Sequence, residues 1–411
     1  MSKSITKCRA CESKEVRQVF DLGSQKLSGV FRSENLDGII EGPLTLVACS
    51  SCSLVQLLHS YPLDEMYNEG YGYRSGITKY MQQHLNEIIT FATSKVVLEK
   101  GDHVLDIGSN DGTLLNCYPD EDYVRVGIDP IAKKYLDLYP KDSKVVTEFF
   151  NKDSYFSVTP HKAKIVTSIS MFYDLEDPVA FAKDISNILH SDGVWVFEQS
   201  YLPAMLRQNS YDTICHEHLE YYSLSAIEKI LEKSGMKIID VSQNEVNGGS
   251  VRLAAAHANS TLVSNISPET VWLLNQEKNH DIHSDQCFLD FQKNVEKQKH
   301  DLVSLLTELK KAGKTVIGYG ASTKGNVILQ YCNIGTDLLP YIGDITPFKD
   351  GAYTPGSKIP IISIEKAKAM KPDYFLVLPW AFRNDIVLRE KETLSSGVKL
   401  IFPLPFVEIV G

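Results

Sequence analysis

The sequence is short of the features that mark membrane, secreted and nucleic-acid-binding proteins. Its 411 residues contain no apolar run near the roughly 18 residues of a membrane-spanning helix, and Met1–Cys8 shows no apolar core of a signal peptide. Acidic residues outnumber basic ones, giving a formal net charge of −10, whereas a general nucleic-acid-binding surface needs a basic face. Eight cysteines are too few for a disulfide scaffold. We therefore expect a cytoplasmic protein that binds neither membranes nor nucleic acids.

Four of those cysteines lie in the first 52 residues as two Cys-x-x-Cys pairs. Cys8 and Cys11 form the first pair, and Cys49 and Cys52 form the second. Two-residue spacing lets both thiolates of a pair bind one tetrahedral ion, and two pairs supply the four ligands of a structural Zn²⁺ site. Strand-like runs lie between the pairs, so we predict a small β module held by zinc. A redox dithiol or unrelated buried thiols are the alternatives.

The stretch Val104–Leu115 has the pattern of a buried strand, a glycine turn and a helix that begins at Thr113. A second short strand ends at Asp129, where a carboxylate can bind a ribose diol. Asn110 and Asp111 make the turn acidic, which would repel a pyrophosphate but suits a cofactor with a positive centre and no phosphate. S-adenosylmethionine fits this description. The predicted cofactor contacts are Asp106, Gly108, Asn110, Asp111, Gly112, Asp129 and Ser170.

Strands alternate with helices through the middle of the chain, which predicts a doubly wound parallel sheet. One of the predicted helices covers residues 132–139. Two consecutive strand-like runs, Met236–Gln243 and Ser250–Ala256, add an antiparallel pair at one edge, as is typical of class I methyltransferases. A mostly helical connector, residues 267–313, leads to a second α/β unit. The predicted domains are residues 1–65, 66–262 and 263–411.

Two polar segments are candidates for binding and chemistry. Tyr71, Tyr73 and Arg74 lie in a glycine-containing segment that favours a ligand-facing loop, with a solvated loop as the alternative. The segment 216–218, His-Glu-His, supplies groups that titrate near neutral pH, as proton abstraction requires. Structural histidines or a metal site are the alternatives for this segment.

Two further glycine-rich turns could bind a substrate. The turn at Asn247–Arg252 could present backbone N–H groups and a guanidinium to a phosphate, or could be a plain hairpin turn. The turn that begins at Gly318 is followed by hydroxyl groups and a lysine, which suits phosphates. The candidates at this second turn are Gly320, Ser322, Lys324, Asn326 and Asp344.

Together these motifs resemble one family, the S-adenosylmethionine-dependent sugar C-methyltransferases that act on nucleotide-linked 4-keto sugars in deoxysugar biosynthesis. The resemblance covers essentially the whole chain. It implies an α/β fold with a class I methyltransferase (Rossmann-like) core, an N-terminal zinc-binding β module and a C-terminal Rossmann-like domain that helps to hold the nucleotide sugar. The motifs that carry it are the four cysteines, residues 105–114, His216-Glu217-His218 with Tyr222 and Ser223, Gly248–Arg252, Gly318–Asn326 and Thr354–Gly356.

The resemblance also implies a mechanism. A carbon next to a ketone becomes nucleophilic only when its proton is removed, so the site needs a base and donors for the enolate oxygen. The family's base corresponds to His218, with Glu217 orienting or stabilising. Cys215 stands where many family members carry a tyrosine, and this departure removes a hydroxyl donor. The implied catalytic residues are His216, Glu217, His218, Tyr71 and Tyr73, and the implied substrate contacts are Arg74, Tyr222, Arg252 and the five candidates at the second turn.

The resulting prediction is a zinc-containing methyltransferase, a monomer or weak homodimer, that methylates a ring carbon of a nucleotide-activated keto sugar. The methyltransferase core alone does not define the acceptor atom, so an O- or N-methyltransferase is the alternative within the enzymes. A nucleotide-dependent oxidoreductase that uses the Gly318 turn is a second alternative. A zinc-stabilised interaction protein without activity is the third.

Overall fold

The structure of the chain, a computed structural model, describes residues 3–34, 36–62, 66, 74–119 and 123–411. Within these residues the strands form four sheets, of two, four, six and seven strands. No helix among the described residues combines the length and the apolarity that a bilayer crossing needs.

The N-terminal strands form an antiparallel sheet in which β2, β3 and β4 are consecutive neighbours. Leu44 and Leu46 on β3 are fully buried, as the apolar side of a small β module should be. Val16, which follows the first cysteine pair, is paired with Cys49 in the sheet. The strand register therefore brings the two cysteine pairs close together. The strands are β1 Lys3–Ser4, β2 Val16–Lys26, β3 Glu41–Cys49, β4 Val55–Leu57 and β5 His59–Ser60.

The central sheet has the order β12-β13-β10-β9-β6-β7-β8, with β13 antiparallel to both neighbours and the other adjacent pairs parallel. Its inner strands are continuous apolar runs because elements cover both faces. The parallel sheet and the antiparallel edge pair are therefore confirmed. The strands are β6 His103–Ile107, β7 Val124–Ile128, β8 Lys144–Val146, β9 Ala163–Ile169, β10 Leu189–Ser200, β11 Glu220–Tyr221, β12 Met236–Asn244 and β13 Ser250–His257, of which β11 belongs to another sheet.

Two predicted helices of the core are wrong. The segment after the glycine turn forms only a 3-10 turn, Leu115–Cys117, and residues 132–139 form two such turns, Ala132–Lys134 and Leu136–Leu138. Prolines follow both segments closely, at Pro119 and Pro140, and an α-helix of so few residues is marginal. The α-helices of the core are Lys79–Thr93, Lys152–Phe156, Pro178–Ile188, Leu202–Arg207 and Leu224–Lys233.

The connector is helical, as predicted, with helices Pro268–Asn279 and Asp285–Lys311. The C-terminal sheet that follows has the order β16-β15-β14-β17-β18-β19 and is parallel except for β19. The sequence did not indicate β16 or β19, which are three residues each. The strands are β14 Val316–Tyr319, β15 Ile342–Asp344, β16 Ile361–Ser363, β17 Tyr374–Val377, β18 Lys399–Phe402 and β19 Glu408–Val410, and the helices are Thr323–Tyr331, Ile364–Ala369, Arg383–Arg389 and Lys391–Ser395.

The N-terminal sheet takes its fourth strand from the central part of the chain. The short strand β11 pairs antiparallel with β4, with Glu220 opposite Gln56 and Tyr221 opposite Val55. This pairing places the residues just before β11, which include the His-Glu-His segment, against the zinc module.

Candidate functional site

The four N-terminal cysteines converge on one point. Their sulfur atoms all lie within 4.8 Å of one another, with 3.6 Å between Cys8 and Cys52 and 3.4 Å between Cys11 and Cys49. Thiolates at about 2.3 Å from a tetrahedral zinc lie about 3.8 Å apart, so this cluster fits a single ion. Three of the four cysteines are buried, which suits a closed structural site. Gln56 on β4 donates an Nε2 hydrogen bond to the Cys8 sulfur at 3.2 Å.

The zinc module holds the His-Glu-His segment from two sides. The Leu57 amide donates to the Leu219 carbonyl at 2.8 Å, next to the pairing of β4 with β11. On the other side, His216 is fully buried, its Nε2 lies 3.3 Å from the Gly42 carbonyl oxygen, and its ring packs edge-on against Tyr61. The position of the segment therefore depends on the fold of residues 41–61.

The predicted cofactor turn follows β6 at the carboxyl edge of the central sheet. Asp106 is buried, accepts a hydrogen bond from the Thr167 hydroxyl at 2.7 Å, and has its pKa raised to about 7 by burial. Gly108 has a φ of +70°, and a Cβ there would lie 3.2 Å from the Met171 side chain that follows β9. A side chain at this position would fill the space between the ends of β6 and β9.

Other residues of the turn make internal contacts. Asp111 accepts hydrogen bonds from Arg74 Nε at 2.9 Å and from the Gly76 amide at 3.0 Å, and Asn110 accepts from the Ser75 amide at 3.0 Å. Segment 74–76 therefore lies across the turn. Gly112 is needed because a Cβ there would lie 2.8 Å from the Tyr139 ring. Direct cofactor contacts of Asn110, Asp111 and Gly112 stay predictions, as does a substrate contact of Arg74.

Asp129 and Ser170 complete the same edge of the sheet. Asp129 follows β7, is buried, and accepts the Asn110 and Ile131 amides at 2.8 Å, one on each oxygen. Each oxygen keeps a further lone pair, so the carboxylate can still accept from a diol. Ser170 follows β9 with a φ of +54°. The carboxyl ends of β6, β7 and β9 thus bring the glycine turn, Asp129 and Ser170 to one edge of the sheet, and the lone pairs left on Asp129 fit the ribose diol that the sequence predicts there.

The two histidines of the His-Glu-His segment differ in environment. Burial lowers the pKa of His216 to about 4, and its contacts are those of a core residue. His218 is only partly buried, and its ring lies 4.3 Å from the Tyr173 ring. The Thr213 carbonyl lies 2.8 Å from Nδ1, so Nδ1 carries the proton and Nε2 keeps a free lone pair. Burial and the charge of Lys324 lower the pKa of His218 to about 3, so the ring is neutral at pH 7.

Glu217, the middle residue of the His-Glu-His segment, lies close to Gly29 in the N-terminal chain. A Cβ on Gly29 would lie 2.5 Å from Glu217 Oε1, and the same Cβ would lie 3.5 Å from the Thr323 hydroxyl oxygen. Glu217 Oε2 is buried with no hydrogen-bond partner among the described residues. Burial raises the pKa of this carboxyl, and the neighbouring Cys215 thiol opposes that effect.

Two residues that the sequence did not single out, Trp380 and Asp212, help to join this site to the C-terminal domain. Trp380 donates its indole N–H to Asp212 Oδ2 at 2.7 Å, and Lys324 donates to the Asn247 carbonyl at 2.7 Å. No spacing pattern connects the residues of these two contacts, because they come from four distant segments of the chain. Tyr71 and Tyr73, which the sequence did single out, lie outside the described residues.

A cavity of about 210 Å³ lies at the carboxyl edge of the C-terminal sheet. It lies past the carboxyl ends of β14, β15 and β17, where the strand order reverses between β14 and β17, and this is the topological switch point at which open α/β sheets bind ligands. Asp344 at its wall accepts the Ala321 and Thr346 amides at 2.7 Å. Of the predicted contacts, Gly320, Ser322 and Asp344 line it, and the other described lining residues include Thr78, Tyr80, Tyr319, Lys349, Pro379, Phe382 and Arg389.

Three other predicted substrate contacts are engaged in the interior. Arg252 is buried and donates to Glu198 at 2.8 Å, in a group that also includes His84. Tyr222 is fully buried and its ring stacks on that of Phe172. Asn326 is fully buried and donates to the Ser28 carbonyl at 2.7 Å. Their side chains hold the fold together, and we leave them out of the proposed substrate site.

The strand order, the glycine turn and the buried carboxylate that follows β7 define a class I S-adenosylmethionine-dependent methyltransferase with an added zinc module. Three family models match the chain in the same order. "Putative zinc binding domain" matches residues 8–67, "Methyltransferase domain" matches residues 77–241, and "C-methyltransferase C-terminal domain" matches residues 245–405.

Comparison with a curated relative extends this result to the whole chain. The C-methyltransferase NovU of Streptomyces niveus is 30% identical over 413 residues, which cover 100% of this chain and 98% of NovU. The chain therefore belongs to the family of S-adenosylmethionine-dependent C-methyltransferases that carry an N-terminal zinc-binding domain. It is an enzyme whose cofactors are S-adenosylmethionine and structural zinc.

Solved structures resemble the central part of the chain only distantly. The magnesium protoporphyrin IX methyltransferase of Synechocystis PCC 6803 with bound S-adenosylhomocysteine is 15% identical, with a TM-score of 0.34 over 46% of this chain and 90% of that chain. An S-adenosylmethionine-dependent methyltransferase of Clostridium acetobutylicum is 13% identical, with a TM-score of 0.34 over 44% of this chain and 93% of that chain.

Proposed function

We propose that the enzyme transfers the methyl group of S-adenosylmethionine to C3 of a nucleotide-linked 4-keto sugar, for deoxysugar or cell-surface glycan biosynthesis. The observation that carries this proposal is the neutral His218, whose free Nε2 is available as a base beside the domain that holds the nucleotide-type cavity. Carbon methylation requires such a base because the ring carbon must first lose a proton. A hydroxyl or amine acceptor already has a nucleophilic lone pair, so its methylation does not require removal of a proton from carbon.

The residues of the chain divide the work in this proposal. Asp129 and the 108–112 turn hold the cofactor, which when bound supplies an electrophilic methyl group. Asp344 and the Gly320 turn hold the nucleotide. His218 removes the proton next to the ketone, and Glu217 orients the sugar. Holding the reacting carbon in line with the methyl group accounts for much of the remaining rate enhancement.

The start of helix Thr323–Tyr331 supports the proposed positions of the nucleotide and the sugar. Ser322, which caps the helix by accepting the Gly325 amide, lines the nucleotide cavity. The next residue, Thr323, approaches the same point near Gly29 as Glu217 does. One short segment thus leads from the cavity to the catalytic segment, which is the path that a nucleotide-linked sugar needs.

The test of the proposed function is exchange of the ring hydrogen without methyl transfer. The full-length enzyme is incubated in D₂O with dTDP-, UDP- and GDP-linked 4-keto-6-deoxyhexoses and S-adenosylhomocysteine, and deuterium at C3 is measured by NMR. We expect exchange with at least one of the three nucleotides, followed by C-methyl product when S-adenosylmethionine replaces the product analogue. Methyl transfer to oxygen or nitrogen, with no exchange at carbon, would support the alternative acceptor instead.

Replacing Asp129 by asparagine should weaken S-adenosylmethionine binding about 10- to 100-fold. A carboxylate that accepts ribose hydroxyls makes charge-assisted hydrogen bonds of roughly 1.5–3 kcal/mol, and an amide cannot accept both. Titration calorimetry measures the effect, and the thermal midpoint reports whether the turn remains folded. Asp137→Asn, at an exposed acid nearby in sequence, is the matched control. Equal affinity in the two variants would contradict this cofactor contact.

Replacing Asp344 by asparagine should weaken binding of the free nucleoside diphosphates about tenfold while S-adenosylmethionine affinity stays unchanged, since one charge-assisted hydrogen bond contributes roughly 1.5 kcal/mol or more. The exposed Asp337, which precedes β15 at the opposite edge of the C-terminal sheet, offers the control Asp337→Asn. If both variants bind dTDP, UDP and GDP as the wild type does, the nucleotide lies elsewhere.

A further inference from the structure

Lys324 reaches from the C-terminal domain into the methyltransferase core. It lies in the first turn of helix Thr323–Tyr331, is partly buried, and donates from Nζ to the Asn247 carbonyl at 2.7 Å. The sequence suggested a phosphate contact for it, beside Ser322. The side chain is instead absent from the described lining of the nucleotide cavity and extends toward the turn before β13. Its ammonium group therefore lies away from the cavity that we propose for the nucleotide.

The ammonium group of Lys324 acts on His218. The charge of Lys324 lowers the pKa of His218 and opposes the effect of burial on the pKa of Asp212. The other groups that face His218 are the Thr213 carbonyl and the Tyr173 ring. The chain neighbours of these two residues meet at Gly29, where a Cβ would lie 2.5 Å from Glu217 Oε1 and 3.5 Å from the Thr323 hydroxyl oxygen. The cation and the proposed base therefore come close together, although they belong to different domains.

The surroundings of this partly buried cation include an acidic side chain. Burial lowers the pKa of Lys324, and the Asp212 carboxylate is the largest opposing influence. Asp212 is almost fully buried, with Oδ2 held by the Trp380 indole and Oδ1 without a partner among the described residues. Burying a charge is costly unless it is paired, so a chain that needed only a tight domain contact could have used apolar side chains here.

Proton removal next to a ketone needs a hydrogen-bond donor for the ketone oxygen, close to the base. As a base removes the proton next to a ketone, negative charge develops on the ketone oxygen, and a positioned donor there is commonly worth 10²–10³-fold in rate. Cys215 offers only a thiol, which is a weak donor and is already engaged with Glu217. Lys324 has three N–H donors, and the structure shows one of them, to Asn247, in use among the described residues.

We propose that Lys324 donates a hydrogen bond to the ketone oxygen of the substrate and stabilises the enolate that His218 generates. This inference rests on the proposed function. The C–H bond breaks, its proton passes to Nε2 of His218, and its electron pair moves through the new C=C bond onto the oxygen held by Lys324. The enolate carbon then bonds to the methyl group as the methyl–sulfur bond breaks, and the imidazolium returns its proton to water.

The test compares Lys324→Met with wild type in the hydrogen-exchange assay, with the 4-keto sugar nucleotide that the wild type accepts and S-adenosylhomocysteine. We expect the exchange rate and kcat for methylation to fall about 100-fold or more, with unchanged affinity for S-adenosylmethionine and for the free nucleoside diphosphate. Lys310→Met, on the exposed side of helix Asp285–Lys311, is the matched control and should exchange as the wild type does.

The pH profile provides a readout that a purely structural role would not change. Loss of the neighbouring positive charge favours protonated His218, so the acid limb of the exchange rate should move to higher pH in Lys324→Met. Lys324→Gln keeps a hydrogen-bond donor but no charge, so it should show the same shift of the acid limb with a smaller loss of rate. It replaces Lys324→Met in this test if the methionine variant does not fold.

Two results separate this inference from the proposed function. If Lys324→Met exchanges within threefold of wild type while His218→Ala does not exchange, the enolate is stabilised elsewhere and only this inference fails. If the wild type itself shows no exchange with any of the three sugar nucleotides while it binds S-adenosylmethionine, the proposed function fails.

Discussion

Replacing His218 by alanine should lower hydrogen exchange at the sugar carbon and methyl transfer about 10³-fold, within the 10²–10⁴-fold that general bases contribute. The reason is that Nε2 of this ring carries the lone pair proposed to accept the proton, since Nδ1 is committed to the Thr213 carbonyl. Exchange measured by NMR and methyl transfer measured from S-adenosylhomocysteine release should fall together. Binding of S-adenosylmethionine should remain within twofold of wild type.

His300→Ala is the control for this experiment, because His300 is exposed on the connecting helix. If His218→Ala exchanged the ring hydrogen at a near-normal rate, His218 would not be the base. The wild-type pH profile gives an independent check. Burial and Lys324 place the pKa of His218 below its usual value, so the acid limb of kcat/KM should lie below pH 6.5. Activity falls there as pH decreases, because protonated His218 cannot accept a proton.

Loss of zinc should disrupt catalysis although zinc takes no part in the chemistry. Cys49→Ser removes a ligand at the end of β3, and structural zinc contributes on the order of 10 kcal/mol to the folding of small zinc modules. Because β4 pairs with β11, we expect faster amide hydrogen exchange at Leu57 and Tyr221 as well as lower zinc content. Methyl transfer should fall at least tenfold, while the central sheet keeps its protection from exchange.

Zinc content by mass spectrometry and local amide exchange measure these effects. Cys287→Ser, on helix Asp285–Lys311 and outside the cluster, is the matched control and should behave as wild type. A Cys49→Ser variant that lost zinc but kept the protection of Tyr221 would show that the catalytic segment holds its position without the metal.

The cofactor half of the site was largely predictable because its signals are local. A buried strand that ends in Asp106, a turn with Gly108, and a carboxylate at the end of the next strand lie in a fixed order along a short stretch of chain. The short helices around them were not predictable to the same degree. Asp111 binds the amide and hydroxyl of Thr113, and nearby prolines leave too few residues for an α-helix.

The substrate half was less predictable because its residues are distant in sequence. Lys324 follows a glycine turn that suits phosphates, yet its side chain turns to Asn247 in the other domain. Arg252 follows a similar turn, yet strand pairing places it opposite Glu198, and the two side chains form a buried ion pair. Composition and spacing do not encode such contacts, since the first depends on how two domains meet and the second on which strands pair within the central sheet.

The sequence by itself determined the zinc cluster and the methyltransferase core, because each depends on residue types at fixed local spacing, whereas the histidine base stays a prediction. The tertiary structure alone decided that β11 completes the zinc sheet, that His216 is buried against Tyr61 while His218 is only partly buried, and that Lys324 contacts Asn247. These outcomes follow from packing between segments that are far apart in the sequence. In such contacts, burial and the choice of hydrogen-bond partner decide what a side chain does, and residue type alone does not.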